Sequence, residues 1–295
     1  MIVRRNFLRL AAGFLFASLS TTSYAVGVEP MLRMKTVTYR PRLPNWPDGL
    51  RLRLVLLADF HACDPWMSAA RIASIAEKAN SLQGDMVLLL GDFLSGMRLC
   101  TGHVPPEDWA AALSGLSAPL GVHAILGNHD WADDHEAMAR GKGPLLAQRA
   151  LEGIGVPVYD NRAVSFEKDG HRFWLAGLGD QIGPLRPMDD LPGTLAQVSD
   201  DAPVILMAHE PDIFPGVPAR VAITLSGHTH GGQIRLFGRS PFVPSRFGSR
   251  YIRGHIIEGG RHLIVSAGLG MSGIPVRFGA PPEIVVVELG GEAAA

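Results

Sequence analysis

Five apolar runs in this chain each end on aspartate, asparagine or histidine, and that recurrence restricts the fold more than any other feature. Leu52–Leu57 runs into Ala58-Asp59-Phe60-His61, and Met86–Leu90 into Gly91-Asp92. Residues 122–126 lead into Gly127-Asn128-His129-Asp130, and Val204–Met207 into Ala208-His209-Glu210. Residues 221–225 precede Gly227-His228-Thr229-His230-Gly231-Gly232. Short, continuously apolar runs suit strands buried on both faces. In open α/β sheets the carboxyl edge of such strands is where ligands gather. Further strands are expected at 173–176, 263–265 and 284–289, and helices at 68–81, 106–116 and 145–153, the first opening on Ser68 as N-cap. The order β-α-β-α-β followed mostly by strands predicts a layered α/β fold with a mixed sheet.

The residue types indicate the chemistry. Aspartate, asparagine and imidazole with no thiolate suit Mn, Fe or Zn rather than Cu(I) or an iron–sulfur cluster. Alternation along an extended backbone puts Asp59 and His61 on one side, and likewise His228 and His230. Flanking glycines permit the tight turns that coordination needs. Each motif alone is common in proteins without metal; all five in this order point to one shared metal site.

The ordered set D-x-H, G-D, G-N-H-D, H and G-H-T-H resembles the calcineurin-like metallophosphoesterases from about residue 52 to 289. The closing stretch Ser266-Ala267-Gly268-Leu269-Gly270, with Pro275-Val276-Arg277-Phe278 and Pro281-Pro282-Glu283-Ile284, resembles their exported YkuE/YaeI-type branch. The resemblance implies a four-layer α/β/β/α sandwich and two divalent metal ions. It assigns Asp59, His61 and His230 to one ion, Asn128, His209 and His228 to the other, and Asp92 to both. No ligand of the pattern is missing. Phe60 stands where such proteins often have leucine, and it should point into the core.

The implied activity is hydrolysis of a phosphate ester, a diester rather than a monoester. A hydroxide bridging two cations about 3.5–4 Å apart would attack phosphorus in line, with no covalent intermediate. His129 looks like the family's catalytic histidine, stabilising the transition state or protonating the leaving oxygen. Asp130 would either orient its ring or cap the following segment. One alternative is a pyrophosphate hydrolase acting on a lipid-linked substrate of the UDP-2,3-diacylglucosamine type. Another is a non-catalytic cell-envelope binding protein; loss of a ligand or of His129 would favour it, and neither is lost. A nuclease should carry a broader basic surface, so no nucleic-acid partner is expected.

Charge divides the chain into unequal parts. The total is 27 basic against 28 acidic residues, net −1. Residues 1–25 carry Arg4, Arg5 and Arg9 with no acid, then an apolar stretch at 10–19, then Ser23-Tyr24-Ala25 with small residues at a cleavage position. That is the order of an export signal, and ten apolar residues are too few to span a bilayer. Arg4-Arg5-Asn6-Phe7-Leu8-Arg9 resembles the twin-arginine export motif, with Val3 replacing the usual small polar residue. The expectation is delivery by the twin-arginine machinery to the periplasm or cell envelope. Taking three arginines from 27 basic residues leaves 24 against 28 acids, net −4. Residues 26–50 are expected as a lead-in, with 41–47 a linker, before one domain at 51–290; ligands drawn from 59 through 230 leave no place to divide it. The tail at 290–295 should fray.

Residues 231–261 gather Arg235, Arg239, Arg246, Arg250, Arg253 and Arg261 against Glu258 alone, with Phe237, Phe242, Phe247 and Tyr251 interleaved. Such a stretch would draw an anionic substrate or an anionic membrane surface, or else be a solvated loop. Arg235 and Arg277 are candidates for substrate contacts. Cys63 and Cys100, in loops after adjacent strands, would form a disulfide in an oxidising compartment or remain free thiols.

Overall fold

The computed structural model describes residues 4–44, 46–183 and 187–291. Val3, ahead of the arginine pair, and the tail beyond residue 291 lie outside the described residues. The chain begins with α1 (Arg4–Ser23), a π-type turn at Tyr24–Val28, α2 (Glu29–Leu32) and β1 (Lys35–Tyr39). It continues through β2 (Leu52–Leu57), β3 (Cys63–Asp64), α3 (Ala69–Ser81), β4 (Met86–Leu90), β5 (Gly102–His103), α4 (Pro106–Leu113) and β6 (Val122–Ile125). Next come α5 (Asn128–Ala132), α6 (His135–Arg140), α7 (Leu146–Gly153), β7 (Arg162–Lys168), β8 (His171–Gly177) and α8 (Leu191–Ala196). The chain closes with β9 (Val204–Met207), β10 (Val221–Ser226), β11 (Gly254–Glu258), β12 (Arg261–Val265) and β13 (Glu283–Leu289).

Two mixed sheets carry the fold, in the orders β1-β13-β2-β4-β6 and β11-β12-β10-β9-β8-β7. The central pairings β2–β4–β6 and β8–β9–β10–β12 are parallel, so the five motif-bearing strands all end on one side of the molecule. Side-chain parity stacks the layers. Leu52, Leu54 and Leu56 of β2 share a buried cluster with Leu175, Ile205, Met207, Ile223 and Leu225 of the other sheet. The alternate residues Val55 and Leu57 turn outward to Ile72 and Ile75 of α3, Trp109 of α4 and Leu151 of α7. On the far side Trp174, Leu206 and Val265 pack with Leu191 and Leu195 of α8 and with Phe214. The result is a four-layer α/β/β/α sandwich, and each leucine taken out of water contributes about 2 kcal/mol.

Local chemistry sets the element ends. Ser68 Oγ accepts the Arg71 N–H at 3.3 Å, and Ile72, Ile75, Ala76 and Ala79 form the buried stripe of α3. α4 stops at Leu113 rather than running to 116, because Ser114 turns its hydroxyl back to the Ala111 carbonyl and Gly115 follows. β1, β7 and β11 lie at sheet edges, where polar or charged residues interrupt the apolar ones.

The lead-in is more than a linker. β1 pairs with β13, Leu43 and Trp46 pack on the inter-sheet cluster, and Trp46 Nε1 donates to the Leu50 carbonyl at 2.7 Å. The leader is also longer than its ten apolar residues suggest, since helical backbone continues through the π-type turn into α2. Asn6–Leu32 is the one helical stretch among the described residues long and apolar enough to cross a membrane, with mean hydropathy 1.3.

Candidate metal centre

All seven expected ligands converge where the strands end. Asp59 and His61 follow β2, Asp92 follows β4, Asn128 opens α5 after β6, His209 follows β9, and His228 and His230 follow β10. Asp59, His61, Asp92, His228 and His230 all hold positive φ, between 47° and 70°. Such angles are uncommon for residues other than glycine and cluster where surrounding structure enforces them. They turn each strand end sharply, so that its side chain points across the edge. Gly127 is required here: a Cβ on it would lie 2.4 Å from Asp92 Oδ1 and 2.7 Å from the His209 ring.

The ligating atoms fall into two groups that share one carboxylate. Asp59, His61, Asp92 and His230 bring donor atoms within 4.8 Å of one another, and so do Asp92, His209 and His228. Asp92 Oδ2 lies 3.1 Å from His209 Nε2 and 3.4 Å from His61 Nε2. Asn128 Oδ1 sits 2.9 Å from His228 Nδ1.

Second contacts orient the ligands. His61 Nδ1 lies 3.1 Å from the Leu94 carbonyl and His209 Nδ1 2.6 Å from that of Leu90, which fixes Nδ1 as a protonated nitrogen and turns each Nε2 toward the cluster. Asp59 Oδ1 accepts the His228 N–H, and Asp92 Oδ1 accepts the His129 N–H, both at 2.8 Å.

These residues fit a divalent cation better than they fit one another. His61 Nε2 and His230 Nε2 face each other at 3.0 Å, buried Asp59 Oδ2 and His228 Nε2 have no hydrogen-bond partner, and His209 Nε2 faces only the Asp92 carboxylate. Orphaned buried polar atoms are rare and costly, and bound cations are what such donor sets satisfy. Burial drives His61 and His228 down to about 3, so both are neutral and able to ligate. Burial also pushes the Asp59 carboxyl up to about 7. For Asp92 burial opposes ionisation, yet His209, His129 and His61 around it hold the carboxyl well below its usual range.

His129 lies beside the cluster, its ring edge-on to His61 at 4.8 Å between centroids. Its orienting partner is not Asp130. Asp130 is buried and accepts the backbone N–H groups of Asp92, Phe93, Leu94 and Gly127 at 2.8–3.1 Å, tying the Gly-Asp loop to the Gly-Asn-His-Asp loop. The His129 ring is held by Asp133, whose carboxylate lies 2.7 Å from Nδ1, while Nε2 lies 3.1 Å from Ser272 Oγ. Burial alone would lower the His129 pKa, but Asp133 and the charge of Asp92 lift it to about 9. The i,i+4 spacing of Asp133 from His129 was the available signal; nothing in the sequence marked Ser272.

Most of these arginines are engaged within the protein. Arg277 is fully buried and donates to the carbonyls of Gly270, Ala280 and Ala267, with His230 Nδ1 3.4 Å away, so it buttresses a ligand instead of contacting substrate. Arg235 NH2 donates to the Gly238 carbonyl. The basic stretch is not one free patch: Arg250 forms a two-pronged pair with Glu258, Arg246 binds Asp212, and Arg261 binds the carbonyls of Phe214, Pro215 and Val217. Cys63 and Cys100 are free thiols, with no disulfide between them. Cys63 sits in a small cluster with Met97 and Met271, and Cys100 donates to the Met97 carbonyl.

The cluster opens into two clefts. One of about 300 Å³ is lined by Asp92, His129, His230, Phe242 and Ser272. The other, about 590 Å³, is lined by Gln181, Glu210, Ile213 and Arg246. Asn128, His228 and Pro244 border both.

The sequence pattern of the calcineurin-like phosphoesterase family matches residues 52–232. The metallophosphoesterase YkuE of Bacillus subtilis is 32% identical over 97% of both chains. The phosphodiesterase YaeI of Escherichia coli is 29% identical over 98% of this chain and all of its own. A transmembrane protein with a metallophosphoesterase domain from Danio rerio is 29% identical over 84% of this chain and 55% of its own.

Proposed function

The chain belongs to the calcineurin-like phosphoesterases, and on that premise we propose that it is a phosphodiesterase working with two divalent ions, Mn, Fe or Zn. The observation that carries this reading is the pair of ligand groups sharing Asp92, each with buried donor atoms that lack any other partner. Asp59, His61 and His230 would hold one ion and Asn128, His209 and His228 the other. Bound there, such ions neutralise phosphoryl oxygens and make water a better nucleophile near neutral pH.

The chain's own residues do the rest. The two clefts meeting at Asn128 and His228 would accommodate a substituent on each side of a phosphoryl group, which supports a diester over a monoester. His129, kept protonated by Asp133, would donate a proton from Nε2 to the leaving oxygen. Water attacks from the opposite side, in line. The Asp130 brace holds both loops at fixed separation, so ligands and acid do not move relative to each other. Residues 1–25 would direct export through the twin-arginine route, placing the site in the periplasm or cell envelope.

The test is turnover of bis-p-nitrophenyl phosphate against the monoester after adding Mn, Fe or Zn to metal-free protein. Faster diester turnover, lost in Asp92→Ala, is expected. No turnover with any metal, or turnover untouched by Asp92→Ala, would sink the enzyme reading, and a faster monoester would sink the diester preference.

A further inference from the structure

The leader does not end in a free linker. Immediately after α1, the backbone is tied into the body: the Ala25 carbonyl accepts the Arg277 N–H at 2.9 Å, and the Val26 carbonyl accepts Trp66 Nε1 at 3.0 Å. The Pro30 carbonyl accepts from Arg71, and Glu29, itself buried, accepts the Ala280 N–H at 2.7 Å. The bond that a signal peptidase would cut, Ala25–Val26, therefore lies in helical backbone with both flanking carbonyls engaged. A protease needs extended, accessible chain, so cleavage there demands local unfolding.

The surface beside this junction is apolar and continues to the mouth of the metal site. Tyr24 packs edge-on against Phe278, with 6.0 Å between centroids, and Phe278 pairs with Ile234 at the stem of a hairpin. Leu236 and Arg239 close that hairpin by reciprocal backbone bonds, leaving Phe237 fully exposed at its tip with φ +50°. Leu236 and Phe242 are exposed too, and Phe242 lines the smaller cleft. A bulky residue held at positive φ in water is unusual; its ring gains nothing from the body.

We propose that the leader is retained as a membrane helix and that the hairpin 236–242 enters the lipid interface beside it, holding the mouth of the metal site against the bilayer. Residues 6–23 rise roughly 27 Å at 1.5 Å per residue, close to a hydrocarbon core of about 30 Å, with Arg9 in the first turn long enough to reach back to the cytoplasmic interface. Leu236 shares a pocket with Thr21, Thr22, Ala25 and Val26 at the end of α1, which sets the face carrying Phe237 at headgroup level. Arginines at 4, 5 and 9 favour a cytoplasmic amino terminus, which puts the body outside. Arg235 and Arg239 flank the tip, an arrangement suited to anionic headgroups. Only the orientation of the mouth rests on the proposed phosphodiesterase site; the docking itself does not.

The test uses the full chain. Its intact mass is measured in the membrane fraction, where a leader still attached and extraction by detergent but not by salt are expected. A chain beginning at Val26 overturns the proposal. In a Cys100→Ser background, Phe237→Cys or, on an edge strand of the other sheet, Glu167→Cys is labelled with a fluorophore. Each is reconstituted into vesicles of phosphatidylethanolamine and phosphatidylglycerol containing doxyl lipid. Loss of most fluorescence at 237 and none at 167 supports insertion; equal quenching, or none at either, overturns it. Turnover of bis-p-nitrophenyl phosphate in detergent reads the catalytic proposal separately, so either can fail alone.

Discussion

His129 and Asp133 are one helical turn apart, and the Asp133 carboxylate lies 2.7 Å from His129 Nδ1, leaving Nε2 at the mouth of the smaller cleft. Asp133 touches no ligand of the metal cluster, so it is a positioning residue. Asp133→Asn should lower kcat by about tenfold or more, a fraction of the roughly hundredfold to ten-thousandfold that a general acid supplies. A histidine raised to about 9 is protonated below that pH and loses its proton above it. Removing the carboxylate should therefore pull the alkaline limb of the pH–rate profile toward lower pH. Asp133→Glu should restore part of both effects. A lowered kcat with an unmoved alkaline limb would mean that Asp133 acts only on folding.

Metal binding should release protons. Burial raises Asp59 to about 7, and Asp92, acting against burial, keeps His209 protonated well above its ordinary range. Both must lose a proton to ligate a cation. As pH falls below about 7, the apparent Mn affinity of metal-free protein should drop by about tenfold per pH unit for each proton displaced. Titration calorimetry in buffers of differing ionisation enthalpy measures this. An affinity independent of pH between about 5.5 and 7.5 would contradict it.

The convergence of the seven candidate ligands was legible in the sequence because they sit at the ends of continuous apolar runs, where an Asp or His has no structural reason to recur. The same signal found the five motif strands and missed β1, β7 and β11. Those edge strands break their apolar residues with polar or charged ones, Arg162–Lys168 being an example, so they leave no long apolar run. Arg277 and the ring-orienting role offered for Asp130 misled for a common reason, whereas the capping alternative is met by its bond to the Gly127 N–H at the start of α5. Sequence shows that a charged residue lies near a motif, but not that its side chain turns inward to satisfy backbone groups. The thiols of Cys63 and Cys100 were placed correctly near each other, yet loop position alone does not decide bonding. The docking of residues 24–32 was invisible because its contacts at Trp66, Arg71 and Arg277 are distant in sequence.

Asp130 is expected to matter for stability more than for proton transfer. It accepts four backbone N–H groups from two loops. Asparagine would turn an NH2 group toward donors that need an acceptor, at a cost of about 2–4 kcal/mol. Urea unfolding of metal-free Asp130→Asn should show that loss. Metal affinity should fall with it, because Asp92 and Asn128 would no longer be held at fixed separation. A change below about 1 kcal/mol would remove the brace from the account.

Arg277 links the metal centre to the leader. Its guanidinium binds the carbonyls of Ala267, Gly270 and Ala280, and its backbone N–H binds Ala25. Burial lowers its pKa only to about 10, so it stays charged at neutral pH. Arg277→Met would leave three carbonyl acceptors unpaired and take away the positive charge near His230 and Asp59. The missing hydrogen bonds should cost about 3 kcal/mol, offset in part by relief of a buried charge. With the charge gone, Asp59 should bind its proton more tightly, since Arg277 is one of the groups that lower it. The metal-free variant should then melt lower than the parent and need higher pH to bind Mn. A residue contacting substrate would instead raise KM while leaving melting and metal affinity unchanged, and that outcome would restore Arg277 to the phosphate-binding role its position in the sequence suggested.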